Sequence, residues 1–266
     1  MTEVGPTSVA ADGGTVAVQV EGAGPPLVLL HSLLTDGAAF SAVVPQLAQH
    51  RRVFRLGLPG FGGSTALPGE PTITDYADRV ATAIDALDLG RNTAILGNGF
   101  GSFVAAMTAA RHGGRLESMI ACNTGLAFPA DRRGAFTAMA LRVTEGGMAA
   151  VLDVAVERIF PPGYLDGRPA LAARCRAVLA AMDPGAFAAA CKALAALDLS
   201  GDVAGVTVPT LVIAGELDQT TPAFMATGLA AAIAGSRLVV IPECGHCPQI
   251  EQPDALVGTL VPFLAG

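Results

Sequence analysis

Charge is scarce in this chain of 266 residues: 15% of residues carry it, against 52% that are hydrophobic. That balance excludes a disordered chain and supplies an ample core. Basic residues are the scarcer sign. A net charge of −7 and a pI near 5.0 disfavour nucleic acid and anionic membrane surfaces as partners. The four histidines are scattered, without the spacing of a ligand set, so no metal site is expected. Internal repeats and low-complexity linkers are absent. The longest uncharged run, Asn92 to Ala110, contains a glycine turn and reads as strand, turn and helix, which excludes a membrane span there. Glu3 stands where a secretion signal would carry a basic residue, and no apolar core follows it, so a cytoplasmic protein is expected. The odd count of five cysteines fits a reducing compartment. Cys244-Gly245-His246-Cys247 has Cys-x-x-Cys spacing, yet it follows a strand late in the chain. A redox pair needs its first cysteine at a helix N-terminus in a thioredoxin-like context, so the spacing alone is not read as redox chemistry.

What is present is an alternation. Thr15 to Glu21 places Val16, Val18 and Val20 on one face, as a half-buried strand does. Leu27 to Leu30 is wholly apolar and suits a buried parallel strand. Arg52 to Leu56, Leu116 to Cys122, Thr210 to Gly215 and Arg237 to Ile241 read as further strands. Between them lie helical patterns. Asp36 is placed to cap a helix near Gly37, and Thr74 to cap one over Asp75 to Leu87. Later helices are expected at Ala223 to Ile233 and Asp254 to Leu264. Strands alternating with helices imply an α/β fold with a mostly parallel, doubly wound sheet covered on both faces. From Gly125 to Gly205 strand signals vanish and alanine-rich helical stretches take over. The expected organisation is therefore an α/β core of residues 1–124 and 206–266 with a helical cap over 125–205.

The stretch around which the chain is organised is Ala94-Ile95-Leu96-Gly97-Asn98-Gly99-Phe100-Gly101-Ser102. An apolar strand runs into a glycine turn, and an apolar helix leaves it. This is the layout of a nucleophile elbow, Gly-x-Ser-x-Gly. The residue it lacks is the serine: Gly99 holds the centre. In open α/β sheets ligands bind beyond the carboxyl ends of the strands. His31-Ser32-Leu33, Gly97 to Gly101, Gly215 to Asp218 and Gly245-His246 all fall at such ends.

Elbow, then acid, then histidine is the order of Ser-Asp-His hydrolases. The sequence resembles the α/β-hydrolase fold superfamily over nearly its whole length, and within it the 3-oxoadipate enol-lactonases. The likeness is carried by His31-Ser32-Leu33-Leu34-Thr35-Asp36, by Pro59-Gly60-Phe61-Gly62-Gly63-Ser64, and by Asp183 to Cys191. Val208 to Gly215 and Gly245-His246 add to it. The resemblance implies that Asp218 is the acid and His246 the general base, with an oxyanion hole made by the N–H groups of Leu33 and Phe100. Ser32 and Asn98 are expected to border the substrate, with His31 shaping the loop. Arg133 in the cap, with Arg132, Arg142 and Lys192, is a candidate anchor for a substrate carboxylate; the competing reading is a solvated face. No cofactor is expected. The expected partner is a small-molecule substrate, and a homodimer is admitted.

Gly99 leaves five readings. Gly97-x-Gly99-x-x-Ser102 could be a dinucleotide fingerprint, but its last position is serine and no acid ends the following strand. Another nucleophile, Ser102, Ser32 or Cys247, could have taken over, though none occupies the elbow apex. The glycine could be an engineered Ser-to-Gly replacement in an ordinary serine esterase or lactonase. The chain could be a ligand-binding protein on a hydrolase scaffold. The reading preferred on the kept His246 and Asp218 is an enzyme that acts on a lactone, ester or enolisable ketone without an elbow nucleophile. Its chemistry would be hydrolysis by directed water, or lyase, isomerase or cyclase chemistry through an enolate.

Overall fold

The computed structural model describes residues 4–266. Eight strands form one sheet in the order β1-β2-β4-β3-β5-β6-β7-β8. They are β1 (Val4–Ala11), β2 (Gly14–Glu21), β3 (Pro26–Leu30), β4 (Arg52–Leu56), β5 (Thr93–Asn98), β6 (Leu116–Cys122), β7 (Thr210–Gly215) and β8 (Arg237–Ile241). From β4 to β8 all neighbours are parallel. The exceptions are the β1–β2 and β2–β4 pairs, which are antiparallel. The helices are α1 (Val44–Leu47), α2 (Ile73–Ala86), α3 (Phe100–His112), α4 (Ala130–Gly146), α5 (Leu152–Ile159), α6 (Pro169–Ala180), α7 (Pro184–Ala195), α8 (Ala223–Ala232), α9 (Pro248–Glu251) and α10 (Pro253–Leu264).

Why the central strands are apolar throughout follows from where alternate side chains go. Val28, Leu30, Ile95, Met119 and Val212 join one core with residues of α2, α3 and α8. Leu27, Leu29, Leu96, Ile120 and Leu211 join a second core with α1 and α10. Successive residues of a strand point to opposite faces, so a sheet covered on both faces needs continuous hydrophobic runs.

Two local expectations are corrected. The first strand, β1, was not anticipated, since Gly5 and Pro6 break its pattern. Pairing on an edge tolerates both. The Asp12-Gly13 turn closes it onto β2 with φ of 36° and 75°, positive at both turn residues as a tight two-residue hairpin requires. The cap of α2 is Thr72, not Thr74: the Asp75 carboxylate accepts the Thr72 N–H at 2.7 Å and the Thr72 hydroxyl at 2.6 Å. This local pairing outcompetes the later threonine. Asp36 does cap a short turn of helix, accepting the Ala38 N–H at 3.0 Å.

The helices α4 to α7 fall between β6 and β7. Where that insertion leaves and rejoins the sheet, Leu199 N–H donates to Leu126 O at 2.8 Å, and Ala127 bridges Asp198. Both ends are thus pinned at one place beside the strand ends. No single helix among the described residues is long and apolar enough to cross a membrane.

Elbow geometry rests on close backbone approach. A Cβ on Gly97 would lie 2.0 Å from Gly101 O, and one on Gly101 would lie 2.3 Å from Leu30 O. Gly134, by contrast, is exposed on α4 with nothing within 4 Å of a Cβ. Gly101→Ala is therefore expected to lose about 3 kcal/mol in urea-induced unfolding, by overpacking against backbone. Gly134→Ala is expected to gain about 0.5–1 kcal/mol, through helix propensity.

Candidate active site

The turn between β5 and α3 sets the first half of the site. Gly99 caps α3 with φ 54° and ψ −118°, the left-handed side of backbone space that glycine enters without strain. Its N–H is tied to Cys122 O at 3.0 Å. Its carbonyl accepts the Ser102 N–H at 2.9 Å and the Ser102 hydroxyl at 2.6 Å. In a trans peptide the N–H opposes the C=O. Fixing Gly99 O inside the helix therefore turns the Phe100 N–H outward, and among the described residues it meets no protein acceptor.

The loop after β3 repeats this construction. Leu58 N–H donates to His31 Nε2 at 3.1 Å, so the ring proton sits on Nδ1 and is donated to Ser32 O at 2.8 Å. Burial lowers the His31 pKa, which keeps the ring neutral and this tautomer in place. Thr35 N–H also donates to Ser32 O, at 3.2 Å. With that carbonyl held from within the loop, the Leu33 N–H faces the other way and likewise meets no protein acceptor among the described residues. Gly101 N–H donates to His31 O at 3.0 Å and locks the two loops together. Leu33 and Phe100 both line one cavity of about 170 Å³, with Gly99, Ser32 and His246.

The acid and the histidine arrive from β7 and β8. Asp218 Oδ1 accepts the N–H groups of Thr220 and Thr221 at 2.8 and 3.1 Å. Its Oδ2 accepts the Thr221 hydroxyl at 2.6 Å and His246 Nδ1–H at 2.8 Å. Burial would push this carboxyl up, but the adjacent imidazole and these donors outweigh it and hold the pKa below its usual value. Burial likewise works to lower His246, and the Asp218 charge overcomes it, so the His246 pKa is raised.

Three residues that sequence reasoning did not assign hold the histidine loop. Asn123, with a φ of 52°, donates to Gly245 O at 2.9 Å and accepts the Gly215 N–H at 2.7 Å, which joins the histidine loop to the strand leading to the acid. Glu251 accepts the N–H groups on both sides of His246, from Gly245 at 2.7 Å and Cys247 at 2.8 Å. Gln249 donates to Asn98 Oδ1 at 2.9 Å. The readable signal was position: Asn123 follows β6 where the other strand ends carry site loops. Asn98, expected at the substrate, is instead fully buried behind the elbow and donates to His246 O at 2.9 Å. Its side chain leaves β5 on the face that meets the histidine loop and Gln249, not the cavity, a direction that the pattern of strand and turn does not disclose. Arg133 is also absent from the cavity: its Nε–H donates to Phe128 O at 2.7 Å. Arg132, whose Nη1 donates to Gln219 O at 2.7 Å, and Arg158 line the cavity in its place. Lys192 pairs with Glu70 at 2.7 Å, away from this cavity.

The free side of the imidazole meets Ser32. His246 Nε2 lies 3.2 Å from Ser32 Oγ. A Cβ built on Gly99 would lie 2.5 Å from that Oγ and 2.7 Å from His246 Nε2. The apex is thus enclosed by the His246 imidazole and by the hydroxyl of a neighbouring loop. Phe103, Phe128 and Phe136 form an apolar wall of the same cavity, Phe103 edge-to-face on Phe128 at 5.5 Å between centroids and Phe128 tilted against Phe136 at 4.6 Å. Ser102 and Cys247 are turned elsewhere. The Ser102 hydroxyl is spent on Gly99 O, and Cys247 is buried, its thiol pushed far up by desolvation. Cys244 and Cys247 are both free, and burial pushes Cys244 up to about 12, the reverse of a redox cysteine.

An acid–histidine pair and two outward N–H groups at the strand ends of a mostly parallel sheet define a site of the hydrolase type. The sequence matches the α/β-hydrolase fold family model over residues 25–253, and the chain belongs to that family. It is similar to the pimeloyl-[acyl-carrier protein] methyl ester esterase of Aeromonas hydrophila subsp. hydrophila, 30% identical over 94% of this chain and 99% of that one. It is also similar to 3-oxoadipate enol-lactonase 2 of Acinetobacter baylyi, 27% identical over 87% of this chain and 85% of that one. The structure superimposes on the enol-lactonase of Burkholderia xenovorans LB400 with a TM-score of 0.92 at 31% identity, covering 98% of this chain and 100% of the other. The fold and the resemblance to enol-lactonases are as the sequence implied, and the chain is an α/β-hydrolase-fold enzyme.

The coupling of Asp218 to His246 has a measurable sign. Asp218 favours the charged imidazole, so His246 titrates above the usual value of about 6.5. Asp218→Asn removes that charge and leaves the burial, so the pKa is expected to fall. NMR titration of the His246 ring in both proteins checks this directly; an unchanged pKa in Asp218→Asn would refute the coupling.

Proposed function

We propose that this enzyme acts on the carbonyl group of a small ester, lactone or enolisable ketone. His246 is the general base, Asp218 its orienting acid, and the Leu33 and Phe100 N–H groups the oxyanion hole. The observation that carries the reading is the buried Asp218–His246 pair, with Nδ1 to Oδ2 at 2.8 Å, whose His246 lines one cavity together with Leu33 and Phe100. A base of this kind takes a proton from a carbon or oxygen beside the carbonyl, and the two N–H groups then stabilise the oxyanion that develops. The listening side of the site is the elbow: Gly99 has no side chain, so no acyl-enzyme forms on it. Hydrolysis therefore needs an attacking oxygen from elsewhere, and enolate chemistry of the lyase, isomerase or cyclase kind needs none.

The relatives support the choice of substrate class, since they are named for a methyl ester and an enol-lactone. We take α4 to α7, within residues 125–205, as the cap over the substrate. Its Phe128, Phe136 and Met139 suit an apolar body, and Arg132 and Arg158 suit a carboxylate at the margin. An ordinary serine esterase with serine replaced at position 99 is the weaker reading. A serine there would need both Ser32 and His246 to move, because its Cβ would stand 2.5 and 2.7 Å from them. A binding protein without turnover has no use for the Asp218–His246 coupling.

His246→Ala is the test, assayed on p-nitrophenyl esters, small lactones and 1,3-diketones. The variant is expected to lose at least about a hundredfold in kcat/KM on whichever class the wild type turns over. Turnover by the variant at the wild-type rate would overturn the proposal.

A further inference from the structure

We infer that the attacking oxygen for ester and lactone substrates is the hydroxyl of Ser32, a nucleophile displaced from the elbow to the loop after β3. The inference rests on the acid–base reading above and names the group on which that base acts.

Geometry carries it. Ser32 Oγ is 3.2 Å from His246 Nε2, and His246 Nδ1 is 2.8 Å from Asp218 Oδ2, which completes a chain of serine, histidine and aspartate. Nucleophile and base within hydrogen-bond reach, with the base held by a third group, is what activation of a hydroxyl requires. Ser32 Oγ has no other hydrogen-bond partner among the described residues, so its proton is free for that nitrogen. It also occupies the right ground. It lies 2.5 Å from where the Cβ of residue 99 would stand, and it lines the same cavity as Gly99 and Phe100.

Competing hydroxyls and thiols are committed. Ser102 donates to Gly99 O at 2.6 Å, Thr221 donates to Asp218 Oδ2 at 2.6 Å, and Cys247 Sγ faces Asn98 Oδ1 at 3.9 Å. The oxyanion hole suits the displacement as well. An oxyanion donor commonly comes from the residue after the nucleophile. Leu33 is that residue for Ser32, and Phe100 is that residue for the vacant apex. The same pair of N–H groups therefore serves an attack launched from Ser32.

The step balances without a further reagent. Ser32 Oγ bonds to the carbonyl carbon and passes its proton to His246 Nε2, while the carbonyl electron pair moves to the oxygen held by Leu33 and Phe100. When that pair returns, the bond from carbon to the leaving oxygen breaks and His246 gives the leaving oxygen its proton. Water then attacks the acyl group on Ser32, with His246 taking the proton of the water and returning it to Ser32 Oγ as the ester bond breaks. In a lactone the leaving oxygen stays attached to the acyl chain.

Diisopropyl fluorophosphate and p-nitrophenyl acetate test this on the full chain. In the expected result the wild type gains one diisopropylphosphoryl group, fluoride leaves, and peptide mass spectrometry places the group on Ser32. Ser32→Ala and His246→Ala each slow both labelling and ester hydrolysis by at least about a hundredfold. A label on another residue overturns the inference. So does wild-type ester hydrolysis without any label, or absence of both reactions. Full hydrolysis in Ser32→Ala with loss in His246→Ala overturns Ser32 and leaves the acid–base reading standing. Full hydrolysis in both variants overturns both. Labelling of the wild type reads the site independently of whether a variant folds.

Discussion

The imidazole of His246 is gripped at both nitrogens, by Asp218 at 2.8 Å and by the Ser32 hydroxyl at 3.2 Å, and the rest of the site exists to keep it there. A charged or chargeable pair taken out of water is costly unless every remaining valence is satisfied. Asp218 meets that condition with three donors besides the histidine: two backbone N–H groups and one hydroxyl. The histidine meets it through its backbone. Asn98 holds its carbonyl, and Glu251 holds the N–H groups on either side. Glu251 is half-buried, and burial raises its own pKa, so the loop is tied by a group that the same low dielectric resists charging. That is a tension stored beside the active centre, offset by the hydrogen bonds it makes.

The two outward N–H groups, of Leu33 and Phe100, depend on a second constraint, planarity of the peptide. Neither the Leu33 nor the Phe100 N–H is aimed by a side chain. Each is aimed because its partner carbonyl is pulled the other way, Ser32 O by His31 and Thr35, Gly99 O by Ser102. A peptide unit held at its oxygen has its N–H fixed as well. Such donors cost no reorganisation as charge develops, which is where electrostatic stabilisation gains most. Ser102 and His31 thereby acquire a role quite different from attack or proton transfer. The Ser102 hydroxyl hardens the first turn of α3, and neutral His31 reads out one tautomer because Leu58 N–H occupies its other nitrogen.

Much of this was legible in the residues, for reasons that can be named. Continuous apolar runs bounded by glycine announced the parallel strands, since only strands buried on both faces need them. The order of elbow, acid and histidine announced the site, since the sheet presents its carboxyl ends together. What escaped was whatever depends on direction instead of position. Asn98 lies next to the apex in sequence, but its side chain turns to the His246 carbonyl and Gln249 instead of the cavity. Arg133 lies one residue from Arg132, and that step around a helix turns it from the cavity to the Phe128 carbonyl. The β1 hairpin escaped because Gly5 and Pro6 weaken the strand signal, although Asp12-Gly13 is a strong turn signal in its own right. The contact between Ser32 and His246 joins residues 214 positions apart, a pairing no local pattern reports.

That contact also shows how glycine at 99 and serine at 32 fit one another in space. A hydroxymethyl group at the apex would stand within 2.5 Å of Ser32 Oγ and 2.7 Å of His246 Nε2, so the apex has room for a side chain or for this hydrogen bond, and not for both. With glycine there, nothing pushes Ser32 aside and Nε2 finds its hydroxyl on the neighbouring loop. The positive φ at 99 makes the exchange inexpensive. An L side chain is strained at 54°, by about 1–3 kcal/mol for such outliers, and glycine is not. Glycine at the apex thus leaves the elbow backbone unstrained, and the outward N–H groups do not need a side chain there, because they depend on peptide carbonyls. An elbow with glycine at its centre thereby keeps the outward Phe100 N–H that its turn positions.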